Sequence, residues 1–137
     1  MTTELKLTFT RRGKGWEFVL APNWGGQPSA PAPFRSPLVE TEQANDYEDL
    51  RWYLEEYMDY TYAGNQVRAA DVERRLEGWG LDLYRQLFEG GGRVRYLDGL
   101  LKKKGPRLLS IASLESDILR VPWELLRVYL KIGLLDD

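Results

Sequence analysis

Carboxylates, cations and hydroxyls are the candidate reactive side-chain groups of this sequence, because its 137 residues include neither histidine nor cysteine. These absences exclude disulfides, thiol nucleophiles, Cys/His zinc sites and every catalytic triad that uses an imidazole base. None of the five serines is followed by a lysine three residues later, so the Ser-x-x-Lys arrangement is missing as well. We therefore expect no catalytic residue and no cofactor.

Acidic residues concentrate between positions 40 and 59, where eight carboxylates accompany one arginine, Arg51. Catalysis by paired carboxylates needs two acids in one pocket with separated pKa values, whereas a run of like charges is typical of a solvated helical face. No calcium-binding spacing of acids around a glycine is present, so we predict no metal site. The sequence predicts an exposed acidic helix.

Basic residues form a second cluster, which is the candidate anion-binding surface of the sequence. Its members are Arg93, Arg95, Lys102, Lys103, Lys104 and Arg107. Short basic runs also occur at helix ends, where they interact favourably with the helix dipole. The net charge of −2 argues against nucleic acid as the main partner, and the acidic helix is an alternative partner for the cluster, within one chain or between copies.

Composition indicates a single globular domain, with 43% hydrophobic and 12% aromatic residues. The amino-terminal residues lack the apolar stretch of a secretory signal, and no apolar run approaches the ~18 residues of a membrane span. We expect a soluble cytoplasmic protein.

Alternating apolar residues predict a β-hairpin over residues 1–21, with Leu5, Leu7 and Phe9 on one strand and a glycine-containing turn before the second. Residues 22–45 contain five prolines and the pair Gly25–Gly26, which predict an extended, irregular linker. Residues 46–137 form the remaining helical and α/β segment.

Helical periodicity predicts three helices, over 46–61, from about Ala69 to Phe88, and around 94–101. Asn45, three residues before Glu48, is a capping residue for the first. Glycines on both sides of Trp79 predict the close approach of another backbone.

The segment 107–112 is short and apolar, which predicts a strand covered on both faces. Ser116 is a candidate cap for a turn through Arg120, and Pro122 suits the first position of a further helix. The pattern of residues 128–135 does not decide between helix and strand.

Three spaced segments resemble a known family: 49–55 (Asp-Leu-Arg-Trp-Tyr-Leu-Glu), 79–84 (Trp-Gly-Leu-Asp-Leu-Tyr), and 109–111 leading to 121–126 (Val-Pro-Trp-Glu-Leu-Leu). Together they resemble the N-terminal part of a CHAT domain, a caspase-like cysteine peptidase domain of the caspase and separase group that often occurs in bacterial proteins. The resemblance covers roughly residues 46–127. The positions that match the motif and take structural roles are Arg51, Trp52, Tyr53, Leu54, Glu55, Trp79, Gly80, Pro122, Trp123 and Glu124.

The resemblance implies the first strands of a caspase-like α/β/α sandwich, with 107–112 as its first core strand and Trp123 packed into the core. The family's catalytic histidine and cysteine lie further along the chain than these motifs, and no residue here matches either. The fold class we expect is therefore α/β, or α+β for the fragment, with a β-hairpin at its start.

The function we expect from the resemblance is a catalytically incompetent interaction or scaffold module, or the N-terminal portion of a larger caspase-like protease. An incomplete sheet exposes an edge, so we expect a homo-oligomer or a complementary protein partner, and no membrane partner. The alternative is a small domain that binds an anionic ligand or nucleic acid through the basic cluster. An enzyme that uses carboxylates or a Ser-Lys pair is the third hypothesis.

Overall fold

A computed structural model describes residues 2–57, 63–113 and 115–126 of the chain. The strands are β1 (Thr3–Arg12), β2 (Gly15–Pro22), β3 (Ala32–Phe34) and β4 (Arg107–Ala112); the helices are α1 (Asp46–Trp52), α2 (Ala63–Phe88), α3 (Val94–Leu101) and α4 (Ser116–Leu119). A π-helical turn, Tyr53–Tyr57, follows α1, and a 3₁₀ turn, Trp123–Leu125, follows α4. The strands form one sheet in the order β3-β2-β1-β4, which confirms the mixed α/β class.

The predicted hairpin is confirmed, since β1 and β2 pair antiparallel with Leu7 opposite Leu20 and Phe9 opposite Phe18. Gly13 in the connecting turn has a φ of 57°, a conformation that glycine adopts without a steric penalty. Leu5, Leu7 and Phe9 are buried whereas the residues between them are exposed, so one face of the sheet forms the core.

Part of the predicted irregular linker is a strand, because β3 pairs antiparallel with β2 and places Phe34 opposite Trp16. Phe34 is buried and meets the rings of Phe9 and Phe18 edge-on, at centroid distances of 5.0 and 6.3 Å. A strand of three residues is too short to show an alternating pattern among prolines, which is why the sequence did not indicate it.

The strand predicted at 107–112 is present, but it is not covered on both faces. β4 is the outer strand of the described sheet, parallel to β1, and Leu108 is 48% exposed. Leu109 and Ile111 lie beside Leu5 and Leu7 on the core face and are half-buried. The apolar run made β4 look like a central strand, whereas the pairing makes it an edge strand.

Parts of three helices, α2, α3 and α4, pack on the core face of the sheet. The carboxyl-terminal half of α2 and all of α3 supply Leu83, Leu87, Phe88, Leu97 and Leu100, which join the buried residues of β1 and β2 in one hydrophobic cluster. The opposite face presents exposed residues of β1, Lys6, Thr8 and Thr10. The described residues therefore form two layers.

The helix boundaries differ from those predicted. α2 begins at Ala63, earlier than predicted, and ends at Phe88 before a glycine with a φ of 80°, Gly90. The first helix is α-helical only to Trp52, and the rest of its predicted range is the π-turn and residues 58–61, which lie outside the described part of the chain. The predicted cap is confirmed, because the side chain of Asn45 accepts a hydrogen bond from the Glu48 N–H.

A second, smaller cluster joins α1 and the loop before it to the middle of α2, through Leu38, Leu50 and Trp79. The predicted close backbone approach is wrong at Gly78, which is exposed and has no atom within 4 Å of the position that a Cβ would occupy. Trp79 packs in this cluster with Leu38 and Leu50.

The segment after β4 returns across the core face. Pro122 precedes a 3₁₀ turn rather than an α-helix, and Trp123 packs onto the core as predicted, with its ring stacked at 5.4 Å on Phe34 and 5.2 Å from Phe9. The indole N–H donates to the carbonyl of Ile118 at 2.9 Å. The residues from 127 onward, including the undecided segment 128–135, lie outside the described range. No helix within the described ranges has the length and apolar character needed to cross a membrane.

Candidate functional site

The outer edge of β4 is the candidate site, and the hydrogen bonds of the sheet fix the direction of its backbone groups. Thr3 donates its N–H to the carbonyl of Pro106 at 3.0 Å, so the backbone of Pro106 points towards β1. Backbone groups alternate in direction along a strand. The N–H and C=O groups of Leu109 and Ile111 therefore point away from β1, where the described residues place no further strand.

The two edges of the sheet differ in their protection against pairing. β3 has three residues, one of which is the exposed Pro33, and Pro31 precedes it. Short strands and prolines are devices that prevent another strand from adding to an edge. β4 has six residues and contains no proline, and Leu108–Ala112 contains no charge. Among the residues that the structure describes, the edge at β4 is therefore open to a further strand, whereas the edge at β3 is blocked.

The side chains of β4 divide between two faces. Leu109 and Ile111 extend the core face, and Leu108, Ser110 and Ala112 lie on the opposite face. The Ser110 hydroxyl donates to the Glu4 carboxylate at 2.5 Å, which ties β4 to β1 on this face. This edge consists of backbone donors and acceptors with apolar side chains beside them, which suits strand pairing.

An open groove of about 650 Å³ adjoins the carboxyl end of β4 and is lined by Thr8–Arg11, Ile111–Ser113 and Glu115. Carboxyl ends of parallel strands are common places for ligands in α/β proteins. Here the nearest cation, Arg11, lies over the ring of Trp16 at 4.5 Å and 3.7 Å from the Asp117 carboxylate. The groove brings no histidine or cysteine to the strand ends, because the chain has neither.

The acidic helix is not simply a solvated face, because two of its carboxylates bind arginines of α2. Asp46 is buried and lies 2.6 Å from Arg75, and Asp49 lies 3.0 Å from both Arg75 and Arg68. Burial acts to raise the pKa of Asp49, but the hydrogen bonds and the positive charges of Arg68 and Arg75 together outweigh it and lower that pKa below its usual value. The cations paired with these two acids therefore belong to α2, not to the basic cluster.

The role of Arg68 and Arg75 was not predicted from the sequence. They lie seven residues apart, and therefore on one side of α2, which is the only signal for a shared partner.

The basic cluster is divided by the structure. Arg93 donates three hydrogen bonds to the carbonyls of Gln86, Leu87 and Glu89 at the end of α2. Arg107 donates to the carbonyl of Leu101 at the end of α3, at 2.6 Å. Both guanidinium groups satisfy the carbonyls that a helix terminus leaves unpaired, so they serve the fold.

The other members of the basic cluster lie on α3 or just after it and are exposed. Arg95 lies over the ring of Tyr96 at 5.3 Å, and the Lys103 ammonium is 5.9 Å from the ring centre of Trp24. Lys102 and Lys104 complete the group. The predicted patch of six cations is therefore an exposed group of four.

The residues that match the CHAT motif do not converge on one site. Trp79 and Gly80 are buried in α2, and Trp123, with Pro122 and Glu124 beside it, lies at the sheet. In the 51–55 segment, Leu54 is 62% exposed, and the Arg51–Glu55 pair is 4.0 Å apart, with both side chains about 70% exposed. Some of these residues are packed in the core and others are exposed at the surface, and they do not gather reactive groups in one pocket.

Trp52 and Tyr53 connect the π-turn to α2. Trp52 lies under the guanidinium of Arg68 at 4.0 Å, and the Tyr53 hydroxyl donates to Glu73 at 3.0 Å. Burial, with the neighbouring Glu73 carboxylate, raises the pKa of Tyr53 above its usual value. The motif segment thus holds the helices together.

The described residues include no group of three or more acidic side chains arranged to hold a metal ion. Comparison with protein families, with curated proteins and with solved structures finds no match to this chain. The functional argument therefore depends on the geometry of the chain itself.

Proposed function

We propose that this chain is a catalytically incompetent interaction module, similar to the N-terminal part of a CHAT domain, which binds a further β-strand at the outer edge of β4. The open edge is the observation that carries the proposal, because the described part of the sheet ends in six residues of parallel strand, in continuous register with β1 and without a proline. In the framework of the resemblance, the added strand belongs to a protein partner or to the remainder of a caspase-like protease.

The asymmetry between the two edges supports this function. An unprotected edge strand invites pairing with another chain, and proteins that do not use such an edge block it. Pro33 blocks the edge at β3, and within the described ranges nothing blocks the edge at β4. Added backbone hydrogen bonds would give affinity, and the side chains on either face of β4 would give specificity.

The absence of an imidazole and a thiol from the whole sequence supports the non-catalytic part of the proposal. Nucleophilic attack by a cysteine with a histidine base needs both groups. The alternative function, binding of an anion by the basic cluster, has less support because Arg93 and Arg107 already bind helix carbonyls.

Amide hydrogen exchange of the dilute full chain, resolved by NMR, tests the open edge. We expect the Leu109 and Ile111 amides to exchange much faster than the Leu108 and Ser110 amides, which point towards β1. These neighbours are matched controls, because they belong to the same strand. Slow exchange at Leu109 and Ile111 in the monomer would show that the edge is already covered, which would overturn the proposal.

A peptidase assay on the purified chain tests the second part. We expect no cleavage of unstructured protein or of peptide substrates. Cleavage that persists through repeated purification would contradict a non-catalytic module.

A further inference from the structure

We infer that the strand which binds β4 is the β4 strand of a second copy of this chain, paired antiparallel about a two-fold axis at Ser110. This inference rests on the proposed function, because it names the partner of the same edge. It joins two sheets of four strands into one continuous sheet of eight.

Symmetry fixes the direction of pairing. When two copies share the same strand across a two-fold axis, the two strands run antiparallel, and each residue pairs reciprocally. Leu109 and Ile111 carry the outward backbone groups, so each Leu109 lies opposite Ile111 of the second copy and exchanges two hydrogen bonds with it. Ser110 then lies opposite itself, as a pair without mutual hydrogen bonds.

The side chains on the outer face are complementary in this register. Leu108, 48% exposed in the single chain, lies opposite Ala112 of the second copy, and the reverse pair is identical. A large residue therefore meets a small one on both sides of the central Ser110 pair. The pairing covers an apolar side chain that the single chain leaves exposed.

The core face is complementary as well. Leu109 and Ile111 are half-buried at the end of the hydrophobic cluster. In the dimer, Leu109 of each copy packs against Ile111 of the other copy across the junction. Pairs of β-branched and other apolar side chains across strands stabilise sheets. Leu108–Ala112 contains no charged residue, so the paired strands themselves carry no like charges; the nearest charge to the axis is the Glu4 carboxylate of each copy, which is hydrogen-bonded to the Ser110 hydroxyl.

The natural absence of cysteine allows a direct test of the register by single cysteine substitutions in the full chain. Directly opposed residues of a non-hydrogen-bonded pair have Cα atoms about 4.5 Å apart, within the range that a disulfide spans. We expect Ser110→Cys to form a disulfide-linked dimer under mild oxidation. Thr8→Cys, on the same face but one strand inward, is the matched control and should remain unlinked.

Light scattering after size-exclusion chromatography tests the association itself. We expect the unmodified chain to be dimeric at high concentration. Leu108→Lys, which adds a charge at an exposed position of the junction, should make it monomeric, whereas Val39→Lys, which replaces an equally exposed apolar residue in the loop before α1, should leave the dimer intact. Circular dichroism of both variants shows that the fold is retained.

A chain that stays monomeric at its highest attainable concentration overturns the inference, as does a dimer in which Thr8→Cys crosslinks as readily as Ser110→Cys. Neither result overturns the proposed function if the Leu109 and Ile111 amides exchange rapidly in the monomer. In that case the edge is open and its partner is a strand of a different protein segment.

Discussion

Arg75 binds three carboxylates at once, Asp46, Asp49 and Asp71, at 2.6, 3.0 and 2.9 Å. The Arg75 side chain is 25% exposed and that of Asp46 only 10%. The burial of this ion pair is therefore intermediate between that of a surface pair and that of a fully buried pair. Surface pairs contribute at most about 1 kcal/mol, whereas removal of one partner from a buried pair costs about 3–5 kcal/mol.

We expect Arg75→Gln to lower the free energy of unfolding by about 2 kcal/mol, an intermediate value, because it leaves Asp46 buried without its cation. Urea denaturation measures the change. Arg74→Gln is the control, since the Arg74 side chain is 77% exposed, and it should stay within about 0.5 kcal/mol of the unmodified chain. Equal losses from both variants would show that burial does not set the strength of the Arg75 contacts.

Acid sensitivity follows from the lowered pKa of Asp49. Burial acts to raise this pKa, and the hydrogen bonds and charges of Arg68 and Arg75 together lower it by more. A carboxyl group whose pKa is lower in the folded state adds stability above its unfolded pKa of about 3.9, and this contribution disappears as the pH falls through the folded value. Asp49→Asn should therefore be less stable than the unmodified chain at pH 7.

The difference between the two proteins should shrink as the pH falls below about 4, because protonation then removes the same charge from the unmodified chain. Urea denaturation at several pH values measures it. A difference that is independent of pH would mean that Asp49 stabilises the fold through packing rather than through its charge.

Single residues were predictable from sequence where their partners are close along the chain. Asn45 binds the backbone three residues away, and a capping pattern is visible in the sequence itself. Asp46 and Arg75 are 29 positions apart, and neither segment contains a sequence pattern that predicts the contact with the other. Contacts of that kind depend on how α1 packs against α2, which the periodicity of each helix does not specify.

At the scale of elements, Trp123 connects the segment after β4 to the opposite edge of the sheet. Its ring contacts Phe34 of β3 and Phe9 of β1, and its N–H binds the carbonyl of Ile118. Loss of a large buried aromatic side chain typically costs about 3–5 kcal/mol. Because Trp123 is partly buried, we expect Trp123→Ala to cost about 3 kcal/mol in thermal or urea unfolding.

Trp123→Phe separates the two contributions, since it keeps an aromatic ring against Phe34 and loses the indole N–H. A typical hydrogen bond contributes about 1 kcal/mol, so this variant should lose roughly a third as much stability. If it loses as much as Trp123→Ala, the hydrogen bond to Ile118 rather than the ring stack holds the segment.

Helices and strands whose apolar residues recur at regular spacing were predicted from the sequence. Features that depend on which strands pair were not. Leu5, Leu7 and Phe9 alternate, so β1 was visible, as were the long α2 and the apolar β4. The place of β4 at the edge was not predictable, because the order of strands is decided by which backbones pair. The π-turn after Trp52 was not predicted either, since its residues continue a helical pattern.

For the whole molecule, the sequence indicated the mixed α/β class and an exposed sheet edge. It did not indicate which strand forms that edge, or which edge is protected by a proline against pairing with another strand. That distinction needs the sheet order, which places Pro33 at one boundary and Leu108 at the other. The candidate site lies at the second boundary, so it could be located only after the order was known.

Dimerisation through β4 makes thermal stability depend on protein concentration. A partner that binds the folded but not the unfolded state raises the unfolding temperature by mass action, so Tm should increase with the concentration of the unmodified chain. Leu108→Lys breaks the pairing, so its Tm should not depend on concentration, and it should match the Tm of the unmodified chain at high dilution. Differential scanning calorimetry over a hundredfold range of concentration measures both. A rise in Tm that Leu108→Lys retains would place the contact on another surface, such as the exposed cations of α3.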